Sequence, residues 1–152
     1  MSNEKSLFIF RRDLRLKDNT GLISALDHGA KVIPCFILDK RLLDSTPIKP
    51  KNNNAIQFMI ESIEDLDQQL KQKNARLHLF FGKLHEIIAE LMTKEKIDSV
   101  HFNDDYTVFS KKRDDDIFSL CRKRDVKCYR YSDSLLINDP SSIMRPSDGK
   151  AY

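Results

Sequence analysis

Short apolar segments recur along the whole chain and alternate with longer amphipathic stretches. The apolar segments are rich in Val, Ile, Leu and Phe, and they have the length of strands that are buried on both faces of a parallel sheet. The sequence therefore predicts five strands, at Ser6–Phe10, Lys31–Leu38, Arg76–Phe81, Ser99–Phe102 and Val126–Tyr131.

The stretches between these strands have helical periodicity. In the clearest one, Asn54 to Lys73, apolar residues recur at three- and four-residue steps while acidic residues occupy the opposite face. A second pattern of this kind, Leu84 to Met92, follows Gly82. Strands that alternate with helices need right-handed crossovers, so we predict the α/β class with a doubly wound, five-stranded parallel sheet. The sheet is expected to be Rossmann-like, with strand order 3-2-1-4-5.

Two polar segments interrupt this alternation. The first, Asp39–Asn53, contains two prolines and is predicted to be a flexible loop at the carboxyl edge of the second strand. The second, Ser132–Tyr152, has no helical period. We therefore predict one α/β domain over residues 1–131, followed by an extended tail over residues 132–152 that begins a linker.

Composition indicates a folded globular domain, because 40% of the 152 residues are hydrophobic and 32% are charged. The net charge of +3 is too small to argue for direct nucleic-acid binding. The three cysteines have the spacing of neither a zinc site nor a redox Cys-x-x-Cys pair, which favours reduced structural thiols. No signal peptide or membrane span is recognised, so we expect a cytoplasmic or nuclear protein with no membrane partner.

Candidate chemistry lies at the carboxyl edge of the predicted sheet. With strand order 3-2-1-4-5, the loops Arg11–Asp18 and Asn103–Phe109 flank the crevice where doubly wound sheets bind ligands. Arginines in the first loop are suited to a phosphate or carboxylate, and carboxylates and an amide in the second are suited to the N–H groups of a heterocycle. The side chains concerned are Arg11, Arg12 and Arg15 in the first loop and Asn103, Asp104 and Asp105 in the second.

The same arginines could instead form internal ion pairs. Arg15 would then pair with Asp13 or Asp114, while Asp18 or Asn19 caps the following helix. Spacing alone leaves both interpretations open.

Several other kinds of site are disfavoured by the sequence. The four glycines are too widely spaced for a G-x-G-x-x-G or Walker loop. The aspartates lack the spacing and turn glycine of a calcium loop, and no metal site is predicted. The four histidines are scattered over predicted strands and helices, and no Ser or Cys has the sequence context of an activated nucleophile, so no catalytic residue is assigned.

The run from Arg11 to Asn19, RRDLRLKDN, closely resembles the opening of the DNA photolyase/cryptochrome family. Further segments resemble the family in the same order along the whole chain. They are Val32–Asp39, a second strand that ends in aspartate; Phe58–Leu70, a helix with a Leu-x-x-Leu rhythm; Gly82, which closes the third strand; Val100–Asp114, an Asn-x-Asp-Tyr stretch followed by Arg-Asp; and Asp148–Tyr152, which resembles the Gly-x-Pro-Tyr before the family's linker.

This resemblance implies the N-terminal domain of a light-driven, FAD-dependent photolyase that repairs pyrimidine dimers in DNA, or of a cryptochrome. Such a domain binds a light-harvesting antenna chromophore. Arg11, Asp39 and Asp105 resemble antenna-site positions, and Thr107 stands where folate-binding and deazaflavin-binding members often carry glutamate. Since Thr107 provides no carboxylate for the donor edge of a pterin, we expect a flavin or deazaflavin in preference to a folate.

The implied partner is a C-terminal domain, on the same or a separate chain, that holds the FAD. DNA would be contacted only through the full-length protein, and this chain, which contains no tryptophan for electron relay, should not repair DNA alone. Two alternatives stay open. One is a stand-alone nucleotide- or flavin-binding signalling module, and the other is a ligand-free structural relic with its crevice filled by side chains.

Overall fold

The computed structural model describes residues 4–29, 31–39, 53–105 and 107–133. Most of the predicted loop at 39–53 and of the predicted tail at 132–152 lies outside these ranges. Within them, the strands are β1 (Lys5–Phe10), β2 (Lys31–Leu38), β3 (His78–Phe81), β4 (Ser99–Asn103) and β5 (Lys127–Tyr131). The helices are α1 (Thr20–His28), α2 (Asn53–Lys71), α3 (Leu84–Lys94) and α4 (Val108–Lys123).

The five strands form one parallel sheet in the order β3-β2-β1-β4-β5. This confirms the predicted class, strand count and strand order. Two strands, β3 and β5, begin later than predicted because the backbone N–H groups just before them donate hydrogen bonds to helix residues. The Leu77 N–H donates to Asp67 of α2 at 2.9 Å, and the Val126 N–H donates to the Cys121 carbonyl of α4 at 3.0 Å.

Alternate residues of β1 point into two separate cores. Leu7 and Ile9 pack on the face covered by α3 and α4, while Phe8 and Phe10 pack on the face covered by α1 and α2. A strand buried on both sides must be apolar at nearly every position, which explains the uninterrupted run Leu7–Phe10. None of the helices in the described ranges combines the length and the apolar character needed to cross a membrane.

Helix α1 lies close to the carboxyl end of β4. Asn19 caps it, since its Oδ1 accepts from the Leu22 N–H at 3.1 Å, whereas Asp18 precedes the cap with a φ of 51°. Gly21 permits the close approach: a Cβ atom at this position would lie 2.5 Å from Oδ1 of Asn103. The helix therefore fixes the end of the loop that follows β1.

A chain of polar side chains, buried except for a half-buried tyrosine at its end, lies beside α1. Ser6, Ser99, His101 and Tyr131 are linked in that order by hydrogen bonds of 2.8 to 3.0 Å. Burial, together with the nearby His28, lowers the pKa of His101 to about 4. The folded protein therefore holds this imidazole neutral at pH values where an unfolded chain would protonate it.

We expect this difference to make stability depend on pH. The unfolded state takes up a proton as the pH falls below about 6.5 and the folded state does not, so the free energy of unfolding should fall with a limiting slope of about 1.4 kcal/mol per pH unit down to about pH 4. Urea unfolding of the wild type, His101→Gln and the exposed control His85→Gln between pH 4 and 7.5 measures it. Loss of slope in His101→Gln alone is the expected result, and identical slopes in all three would contradict it.

Candidate functional site

A cleft of about 690 Å³ opens at the carboxyl edge of the sheet. The four positions that the family resemblance assigned to the antenna site all line it: Arg11 after β1, Asp39 after β2, Asp105 after β4 and Thr107 before α4. Parallel strands bring the loops that follow them to one edge, so residues far apart in sequence meet here. The volume is within the usual range for small-molecule sites.

Aromatic side chains form much of the wall of the cleft. Phe58 of α2 and Phe109 of α4 are 73% and 53% exposed, although large apolar side chains are usually buried. Phe10, Phe36 and Met59 line the same space. Flat apolar walls with a few charged groups suit a planar heteroaromatic ligand. Neither Phe58 nor Phe109 was predicted as a site residue, because apolar residues in amphipathic helices resemble core positions.

Arg11 forms a buried ion pair at one end of the cleft. Its Nη1 lies 2.7 Å from Oδ1 of Asp114 and donates to the Asn103 carbonyl at 3.2 Å, while its Cζ lies 4.2 Å from the ring centre of Phe102. Burial and the neighbouring Arg113 lower the pKa of Arg11 to about 10, whereas Asp114 opposes the shift. Arg11 therefore stays charged at neutral pH.

Arg15 does not line the cleft. Its Nη2 lies 2.6 Å from Oδ2 of Asp133, and its Nε and Nη2 donate to the Asp18 carbonyl at 3.0 and 2.8 Å. The internal-pair interpretation is therefore right for Arg15, but the predicted partners, Asp13 and Asp114, are wrong. Thr20 donates to the other oxygen of Asp133 at 2.6 Å, so this carboxylate joins the start of α1 to the segment after β5.

Asn103 was predicted to face a ligand, and this prediction is wrong. The side chain is buried, and its Nδ2 donates to Oδ2 of Asp13 at 2.6 Å and to Oδ1 of Asn19 at 2.8 Å. Its Oδ1 accepts from the Gly21 N–H at 3.0 Å. Asp13 and Asn19 of the RRDLRLKDN run are therefore held by an internal network, because buried polar atoms need partners.

The four predicted residues differ in what their side chains do. The Thr107 hydroxyl caps α4 by accepting from the Ser110 N–H at 3.1 Å, and it donates to the Ser110 hydroxyl at 2.7 Å. That hydroxyl donates to Oδ2 of Asp105 at 2.9 Å, which holds the carboxylate at the cleft. Asp104 is turned away, towards Ser132 at 3.1 Å.

Comparison with known proteins identifies relatives of the whole described fold. A DNA photolyase family model matches residues 6–152. Cryptochrome-1 of Aedes aegypti is 34% identical over 92% of this chain and 26% of its own length. The deoxyribodipyrimidine photo-lyase of a Synechococcus species is 30% identical over 96% of this chain and 29% of its own length.

Solved structures show the same fold. An archaeal photolyase from Sulfolobus tokodaii, which contains two FAD molecules, superimposes with a TM-score of 0.83 and 41% identity over 93% of this chain and 32% of its own. A class III photolyase from Agrobacterium tumefaciens gives a TM-score of 0.84 and 26% identity over 100% of this chain and 30% of its own. The chain thus spans about a third or less of the length of these relatives.

The buried ion pair should be sensitive to loss of its anion. In Asp114→Asn, Arg11 loses its buried counter-charge, and we expect a loss of about 3–5 kcal/mol in the free energy of unfolding. Asp116→Asn changes an exposed carboxylate of the same helix and should alter stability by no more than about 0.5 kcal/mol. Urea unfolding of both variants measures the difference, and equal small effects would show that the pair contributes little.

Proposed function

Because this chain belongs to the DNA photolyase family, which its match over residues 6–152 shows, we propose that it is the antenna domain of a photolyase or cryptochrome. The single observation that carries the proposal is the convergence of Arg11, Asp39, Asp105 and Thr107 on one aromatic-walled cleft. A ligand-free relic would have this space filled by side chains, whereas the described residues that line it enclose about 690 Å³.

The ring of the chromophore would lie between the aromatic walls, where Phe58 and Phe109 exclude water from its faces. Asp105 would accept from an N–H group of the ring, and Asp39 would provide a second acceptor near the end of β2. Arg11 would supply positive charge beside an anionic part of the ligand. When bound, the chromophore would absorb light and pass excitation energy to FAD in another domain.

A flavin or deazaflavin suits this site better than a folate. Thr107 has no carboxylate to offer to the donor edge of a pterin, and its hydroxyl is already used to cap α4. The two carboxylates that line the cleft, Asp39 and Asp105, come from different strands and would serve separate parts of a ring system.

The chain should therefore bind a flavin or deazaflavin more tightly than a reduced folate. Removing the charge of Asp105 in Asp105→Asn should weaken flavin binding about ten- to a hundred-fold, the usual effect of losing one charge-assisted hydrogen bond. Asp27→Asn, which changes an exposed carboxylate on α1, should have no effect. Fluorescence titrations with each chromophore measure the affinities, and thermal melting verifies that the variants are folded.

A preference for folate, or equal flavin affinities in Asp105→Asn and the wild type, would contradict this assignment. Absence of binding for all three chromophore classes would favour the ligand-free relic. Tight flavin binding together with failure to associate with any FAD-binding domain would favour the stand-alone signalling module.

The activity of a complete photolyase would need more than this domain. The relatives extend well beyond the part matched here, and we propose that FAD and the damaged DNA are bound mainly by that remainder, on the same or a separate chain. This chain would contribute the antenna and contact DNA only as part of the full-length protein.

Isolated chain should therefore give no dimer splitting. Mixed with FAD, visible light and DNA that contains pyrimidine dimers, it should restore no more intact pyrimidine than a sample without protein, because no helical FAD domain positions the flavin beside a flipped-out base. A full-length photolyase serves as the positive control in the same chromatographic assay. Repair above background by the isolated chain would overturn this division of functions.

A further inference from the structure

A buried serine supports one of the two carboxylates that line the cleft. Ser110 is 3% exposed, and its hydroxyl donates to Oδ2 of Asp105 at 2.9 Å. The Asp105 side chain is 16% exposed and lines the cleft, so this hydrogen bond acts on a carboxylate that a ligand can reach. The contact joins the first turn of α4 to the loop that follows β4.

Thr107 completes a chain of hydroxyl groups that ends on Asp105. The Thr107 hydroxyl donates to the Ser110 hydroxyl at 2.7 Å, and Ser110 donates in turn to the carboxylate. An ionised carboxylate only accepts hydrogen bonds, so it fixes the direction of donation along the whole chain. Hydrogen bonds that point the same way strengthen one another, which favours one orientation of the Asp105 side chain.

Arg12 also approaches this carboxylate oxygen, but it is a weaker constraint. Its Nε lies 3.5 Å from Oδ2 of Asp105, and the Arg12 side chain is 80% exposed. Exposed ion pairs of this kind are screened by water and contribute little. The hydroxyl of Ser110, which is buried on a helix, therefore sets the position of Oδ2 more firmly than Arg12 does.

The hydroxyl of Ser110 is not needed to begin α4. The cap of this helix is the Thr107 hydroxyl, which accepts from the backbone N–H of Ser110 at 3.1 Å. Replacing Ser110 with alanine keeps that N–H and removes the side-chain hydroxyl. The contact with Asp105 can therefore be separated from the stability of the helix.

We propose that Ser110 is a positioning residue that, with Thr107 behind it, holds the Asp105 carboxylate ready to accept a ring N–H of the chromophore. The inference rests on the antenna function proposed above and adds the residue that controls which ring systems are selected. A carboxylate that is already held in place loses little conformational freedom when it binds, so its contact discriminates more sharply. The site should therefore select rings that carry an N–H at this point and reject rings in which it is blocked.

Riboflavin and 3-methylriboflavin test this selection, because they differ only in whether the ring nitrogen at position 3 carries hydrogen or a methyl group. Fluorescence titration should show that the wild-type chain binds riboflavin about ten- to a hundred-fold more tightly than the methylated flavin. In Ser110→Ala this ratio should fall about three- to ten-fold, because Asp105 is no longer held. Ser110→Thr, which keeps the hydroxyl, should retain most of the ratio. Ser119→Ala removes an exposed hydroxyl of the same helix and should leave the ratio unchanged.

The ratio of the two affinities separates positioning from a merely structural role. If Ser110→Ala only loosened the cleft, both flavins would bind more weakly and the ratio would keep its wild-type value, which would overturn the inference. Equal affinity of the wild-type chain for the two flavins would also overturn it and leave the antenna function intact. Absence of binding by either flavin would overturn the inference and the antenna function together.

Thermal melting shows whether each variant is folded. Should Ser110→Ala fail to fold, Ser110→Cys provides the same test, because a thiol is a weak hydrogen-bond donor and should lower the ratio as well. A folded Ser110→Cys chain with the wild-type ratio would contradict the positioning role.

Discussion

The buried amide of Asn103 is the constraint on which the carboxyl edge of the sheet depends. It ends β4, accepts from the backbone of α1 and donates to two side chains of the loop after β1. Because the Asn103 and Asn19 side chains are buried and Asp13 is half-buried, the loss of a partner here would leave a polar group unsatisfied and destabilise the fold. The Asn103 side chain thus holds three parts of the structure together: the end of β4, the loop after β1 and the start of α1.

The rest of the site follows from that fixed loop. Asn103 holds Asp13 and Asn19 in place, and the backbone turns immediately after β1. The side chain of Arg11 is therefore buried beside Phe102 and Asp114. The loop therefore has two functions that its charged sequence does not distinguish. Asp13, Arg15 and Asn19 join structural elements, and Arg11, Arg12 and Leu14 contribute to the wall of the cleft.

Topology could be predicted from the sequence, because buried strands and amphipathic helices have distinct periodicities and parallel connections have a fixed hand. The same reasoning placed Arg11, Asp39, Asp105 and Thr107 at one edge. It did not identify the partner of Arg15, since Asp133 is 118 positions away and approaches only when β5 is in the sheet. Asn103 was misassigned because a buried amide and a ligand-binding amide look the same in sequence. The contact of Arg113 with Asp114 was missed for a similar reason, since Arg113 stands in a run of helix charges that is typical of solvated surface.

The contacts of Asp133 bear on where the folding unit ends. The last residue of the sheet is Tyr131, and sequence periodicity alone would separate the chain there. Yet the carboxylate two residues later binds both Arg15 and Thr20. Excision after the final strand would remove the only anion in the described part of the chain seen to bind these two side chains, and with it the link between the start of α1 and the far side of the sheet. The contacts of the α/β domain therefore extend past its last regular element.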